Sequence, residues 1–211
     1  MSPMQRLLGL AILAGCLVSG CTPPSVDFGV AARGYRGRDY NKIQKKWTRT
    51  GTLHQGVSQI LSVSGVLKSW DFRQAYLALV GESYALSLAE REQLERQERG
   101  ASDTYHELFV SVAMERKRWQ DLEQQQSLWK LVLVNDRGEE LRPATVERVK
   151  RLTPEIVRFY PFHTRFHQAY IVRFKKELPD GRLLVSPETK RLTFRLAGAP
   201  GRAELHWSQK H

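Results

Sequence analysis

His163 and His167 lie four residues apart in Phe162-His163-Thr164-Arg165-Phe166-His167. On a helix that spacing sets two imidazoles on one face, where they can share a metal ion. A stable site needs further ligands, and no Asp, Glu or Cys lies close by in sequence, while Arg165 between the two repels a cation. Surface histidines on a loop between strands are the expectation, with metal binding the weaker reading. His106-Glu107 falls in an alternating stretch, so its side chains should face opposite ways and not act as an acid–base pair. Asp121, Glu123, Glu139 and Glu140 are scattered through predicted turns and single out no carboxylate pair of the glycosidase kind. No G-x-S-x-G elbow, H-E-x-x-H helix or Gly-rich phosphate loop occurs, and no cofactor is expected. The most aromatic stretch is Phe159-Tyr160-Pro161-Phe162, with Phe166 beyond it. It is either an exposed contact loop or a plug closing one end of the fold.

The chain has two cysteines, Cys16 and Cys21, both close to its start. The rest therefore has no disulfide framework and no thiol nucleophile. Ahead of Cys21, Arg6 is followed by an apolar run from Leu7 to Val18 and then by the small residues Ser19 and Gly20. That order matches the charged, apolar and small-residue regions of an export signal. The apolar run is about a dozen residues, whereas a membrane-spanning helix takes roughly 20.

The stretch Leu17-Val18-Ser19-Gly20-Cys21 resembles the lipobox of bacterial lipoproteins. The resemblance implies a lipid on the Cys21 sulfur and removal of residues 1–20. Leu13-Ala14-Gly15-Cys16 fits the same pattern, which leaves Cys16 as the alternative. Cys21 is preferred because cleavage before Cys16 would shorten the apolar region to about seven residues and place bulky Leu17 after the lipid. By the same resemblance, Thr22 where an Asp would favour inner-membrane retention points to the outer membrane, with the domain facing the periplasm.

Residues 21–46 are expected to form a flexible, lipid-anchored basic tether. Pro23 and Pro24 stop a helix, and Arg33, Arg36, Arg38, Lys42, Lys45 and Lys46 accompany glycine with few aliphatics. The tether is read either as a solvated spacer or as a segment drawn to anionic head groups. The formal charge of +11 suits an anionic partner or surface, and export argues against nucleic acid.

From residue 47 to 211 the pattern is that of a mainly β domain with a helical insertion over 69–101. Residues 59–67 alternate as a half-buried strand. Phe72, Ala75, Tyr76, Leu79, Val80 and Tyr84 recur at helical spacing. Ser87-Leu88-Ala89-Glu90 is a capping box opening a charged helix that Gly100 is expected to end. Strands are expected at 106–114 and 128–134, then near 144–151, 169–176, 182–186, 190–196 and 202–208, with Trp129, Tyr170, Phe174, Phe194 and Trp207 pointing inward. Short strands punctuated by turns read as a β-sandwich that resembles an immunoglobulin-like one in architecture alone. The functional expectation is a membrane-anchored, non-catalytic module contacting another envelope protein or polymer. The alternative is an envelope hydrolase whose site is assembled across loops.

Overall fold

A computed structural model describes residues 23–29 and 31–209. The signal region, Cys16 and Cys21 lie outside the described residues. The element order is α1 (Tyr40–Trp47), β1 (Thr48–Gln55), β2 (Ser58–Leu67), α2 (Trp70–Ser83), α3 (Leu88–Thr104), β3 (Tyr105–Met114), β4 (Lys130–Asn135), β5 (Glu140–Leu141), β6 (Thr145–Arg148), α4 (Pro154–Phe159), β7 (Gln168–Lys175), β8 (Arg191–Gly198) and β9 (Gly201–Ser208). The fold is mainly β, with two antiparallel sheets ordered β1-β2-β3-β7-β6 and β5-β4-β8-β9. No helix among the described residues is long and apolar enough to cross a membrane.

Period-two alternation decides what each face of the larger sheet meets. Leu61, Val63, Leu108, Val110, Tyr170, Val172 and Phe174 are all 0% exposed and turn toward the second sheet, which contributes Leu133, Phe194, Leu205 and Trp207. The sheets come close where β9 passes over β1 and β2. A Cβ on Gly51 would stand 2.7 Å from the Glu204 carbonyl oxygen, and one on Gly65 would stand 2.8 Å from a Leu205 methyl. Only glycine permits that approach. Trp129, Tyr170, Phe174, Phe194 and Trp207 are all buried, as expected.

α2 and α3 connect β2 to β3, which are neighbours in one sheet, so the helical segment is an insertion between paired strands. Ser69 caps α2 by accepting from the Phe72 N–H. Ser87 and Glu90 form the expected reciprocal box on α3. Gly100 does not end α3, which runs on to Thr104. One glycine costs a helix only about 1 kcal/mol, too little to end it alone. The ion pair Glu92–Arg96 forms at 3.9 Å. Arg99 instead lies 3.5 Å over the Trp70 ring, so Glu95 does not hold it.

Four expectations are corrected. The tether does not extend to residue 46: Tyr40–Trp47 is α1, and Tyr40, Ile43 and Trp47 are buried in the core. Their i, i+3, i+7 spacing is helical, and Lys42 and Lys45 occupy the outer face. Residues 48–55, given no strand, form β1; its threonines carry little hydrophobic signal. The strand at 59–67 is buried on both faces from Val63 onward, because helices cover its outer side. Residues 182–186 contribute only a single bridge, Glu177 with Leu183, where Pro179, Gly181 and Pro187 interrupt regular pairing.

Candidate functional site

The outer face of the larger sheet carries Ser64, Val66, Glu107, Phe109, Ser111, Ile171 and Arg173, and α1, α2 and α4 lie across it. The link from β6 to β7, read as a loop, contains α4. Thr153 caps it by accepting from the Ile156 N–H at 3.4 Å, and Pro154 occupies its first turn. The Thr-Pro-Glu triplet is a helix-start signal present in the sequence.

This link folds back as a plug. Tyr160 stacks on Phe109 with centroids 3.8 Å apart and planes 6° apart. Phe159 meets Tyr76 edge-on at 5.0 Å and Tyr40 at 5.9 Å, and the Tyr40 hydroxyl donates to the Phe159 carbonyl at 2.6 Å. Phe162 packs edge-on to Phe109 at 6.0 Å. Of the four aromatics considered for a contact loop, Phe159, Tyr160 and Phe162 are thus engaged inward, and Phe159 is buried. Phe166 alone stands out, 74% exposed, with the Arg165 guanidinium 4.9 Å over its ring. Leu152 and Val157 are also exposed. Lys150, Arg151 and Arg158 flank them, all exposed. The link thus turns its aromatic base inward and carries a rim of exposed apolar and basic residues along its sequence.

His163 and His167 share one hydroxyl. Ser111 Oγ lies 2.8 Å from His163 Nδ1 and 3.1 Å from His167 Nδ1. His163 is buried, so the pair is not a set of free surface histidines. A serine hydroxyl has one proton and two lone pairs, so it can accept from one ring while donating to the other. The pair therefore locks the end of the plug to β3. No group of three or more potential metal ligands occurs among the described residues. Burial lowers the pKa of both rings, and His163 is lowered further by its neighbour His167. Both are neutral in the fold at neutral pH. The cost of keeping them uncharged is absent above about pH 6.5 and grows as pH falls through that value. Ser111→Ala should cost about 1–2 kcal/mol by leaving both Nδ1 atoms without this partner. Urea denaturation measures that loss, and it should be accompanied by faster amide exchange over 160–167.

The other sequence candidates have structural roles. Asp121 accepts from Ser127 at 2.9 Å, and Glu123 pairs with Arg148 at 2.9 Å. Glu139 holds Arg137 and Arg182, and Glu140 holds Arg195 at 3.0 Å. His106 and Glu107 face opposite sides of β3, as alternation requires. Burial, with Lys176 nearby, lowers the His106 pKa to about 3, and the ring stays neutral.

The six basic residues assigned to the tether divide. Arg33 pairs with Asp27 at 2.8 Å and Asp71 at 3.2 Å. Arg36 and Arg38 are exposed beside a short 3-10 turn. Lys42 and Lys45 line the outer side of α1, and Lys46 reaches Asp71 at 2.9 Å. Sequence reasoning missed Arg49 and Asp71, which tie the N-terminal segment to the domain; nothing in their local sequence distinguishes them from surface charges. No protein-family model, curated protein or solved structure matches the chain.

Proposed function

We propose that the protein is a lipid-anchored lipoprotein of the bacterial envelope, modified at Cys21 with Cys16 as the alternative. Its domain works without catalysis as a contact module for another envelope protein or polymer. The observation that carries the reading is Leu17-Val18-Ser19-Gly20-Cys21 at the end of an apolar run with one charge ahead of it. The outer membrane is favoured, with the domain in the periplasm.

Support for a contact role comes from the rim at Leu152, Val157 and Phe166, which are 44%, 50% and 74% exposed. Apolar side chains held on a rigid base cost little ordering entropy when a partner covers them. The arginines around them suit an acidic partner surface. We read the sandwich further as immunoglobulin-like in architecture, supported by its two antiparallel sheets and the buried Trp129, without attaching a function to that likeness.

The test is the mature N-terminus. Mass spectrometry should find a lipidated cysteine at position 21 as the first residue. Replacing Cys21 by Ser, with Cys16→Ser, should move nearly all of the protein from the membrane pellet to the supernatant, because two acyl chains supply the durable attachment. A double variant that pellets as fully as the native chain defeats the anchor.

A further inference from the structure

Arg49, near the start of β1, is 7% exposed and has no carboxylate partner among the described residues. Its guanidinium donates instead to four carbonyl oxygens. They are those of His206 at 2.7 Å, Lys46 and Thr48 at 2.8 Å each, and Pro24 at 2.6 Å. Burial lowers its pKa only to about 10, so it stays charged at neutral pH. One side chain thereby joins β9, the end of α1, the start of β1 and the N-terminal segment. Two residues beyond Pro24, Val26 is fully buried and donates its N–H to the Ser208 carbonyl at 2.8 Å. The chain is pinned to the domain from Pro24 onward.

Cys21 precedes Pro24 by three residues. At about 3.5 Å per residue, the stretch between them spans at most about 11 Å. The head-group layer on each side of a bilayer is itself roughly 5–8 Å thick. If acyl chains enter the bilayer at Cys21, as proposed above, the surface around Pro24 has no room to stand away from it.

That surface is basic. Lys42 and Lys45 are exposed on the outer side of α1. Lys190 and Arg191 are exposed at the start of β8, where the Lys190 carbonyl accepts from the Gln209 N–H at 2.8 Å and Arg191 lies opposite Ser208. The carboxylates nearby are Asp27, paired with Arg33, Asp71, paired with Lys46 and Arg33, and Glu188, which accepts from the Ser186 hydroxyl and keeps its charge. We propose that Lys42, Lys45, Lys190 and Arg191 seat the domain on the phosphate-bearing, anionic head groups of the membrane that holds its lipid. The inference rests on the anchor at Cys21 and adds a fixed orientation to it. Each basic residue at an anionic surface strengthens contact roughly fivefold, and the effect fades with salt.

The test uses the full lipidated protein reconstituted into vesicles of phosphatidylcholine, with or without phosphatidylglycerol. A fluorophore is placed at Pro187→Cys, beside Gln209, or at Val57→Cys, at the far tip of the β1–β2 hairpin. Quenching by a head-group-attached quencher reports proximity. In phosphatidylglycerol vesicles the label at 187 should be quenched several-fold more than the label at 57. The difference should shrink at high salt and in the variant Lys42→Glu, Lys45→Glu, Lys190→Glu, Arg191→Glu, which should still float with vesicles and retain its circular dichroism spectrum. Equal, salt-independent quenching at both positions in protein that co-floats with vesicles overturns the seat and leaves the anchor standing. Failure of the native protein to co-float removes the anchor, and the seat with it.

Discussion

Glu107→Ala should destabilise the domain by about 3–5 kcal/mol, the range for removing one partner from a buried charge network. Glu107 lies on the helix-covered face of β3, 4% exposed. It accepts from Lys68 at 2.5 Å and Arg173 at 2.7 Å, and Arg73 stands 3.6 Å away. Arg73 is 0% exposed and pairs also with Glu98 on α3. The network therefore joins the helical insertion to the sheet, and its centre is the buried Glu107 carboxylate. Without it, Arg73 keeps Glu98 and the Lys68 carbonyl but loses the second carboxylate beside its guanidinium. Urea denaturation of both proteins at neutral pH gives the difference, and a loss below about 1 kcal/mol would contradict this view.

The same carboxylate makes stability depend on pH. Burial by itself raises the Glu107 pKa, but Lys68, Arg73 and Arg173 outweigh it and hold the group at about 2. An unfolded glutamate titrates near 4.3. A group depressed in the fold contributes fully above its unfolded value, and its contribution disappears as pH falls toward the folded one. About 3 kcal/mol should therefore fade between roughly pH 5 and pH 2. The Ala variant lacks this share, so its stability should fall less steeply over that window, and the two denaturation curves should converge in acid.

Asp71→Asn should cost about 2–4 kcal/mol and loosen the segment before α1. Asp71 is 2% exposed and sits in the first turn of α2, where the helix dipole favours negative charge. It accepts from the Tyr35 hydroxyl, from Trp47 Nε1 at 2.8 Å and from Lys46 at 2.9 Å, with Arg33 at 3.2 Å. Burial raises its pKa, but the hydrogen bonds from Tyr35, Lys46 and Trp47 more than reverse the effect. An amide cannot neutralise Lys46 or Arg33, and its NH2 could donate only to the Tyr35 hydroxyl, since Lys46, Arg33 and Trp47 offer no acceptor. Faster hydrogen exchange over residues 26–36, with easier cleavage at Arg33, Arg36 and Arg38, should accompany the loss. Exchange unchanged from the native protein would mean that Arg49 and Val26 suffice to hold the segment.

Patterns local in the chain were legible. The alternation through His106–Met114, the helical spacing from Phe72 to Tyr84 and the Ser87–Glu90 box all yielded the expected elements, because a strand face, a helix stripe and a cap each depend on residues a few positions apart. Tyr170, Phe174, Phe194 and Trp207 point inward as expected for strand residues, and Trp129, in a nearly continuous apolar run, is buried just before β4. α1 was legible in principle through Tyr40, Ile43 and Trp47, but its lysines resembled the basic segment before it. The plug divided as no linear pattern could show, with Phe159, Tyr160 and Phe162 inward and Phe166 out.

By itself the sequence determined the lipobox resemblance at Cys21 on which the proposed anchor rests, the mainly β character and the helical insertion, since all of these are written in neighbouring residues. Tertiary structure alone decided that Arg49 binds four carbonyls, that Asp71 gathers Tyr35, Lys46 and Trp47, and that Ser111 bridges His163 and His167. Each includes partners 24 or more positions apart, and a charge or hydroxyl carries no local mark of its distant partner. Burial makes these contacts strong, and burial is a property of the folded whole.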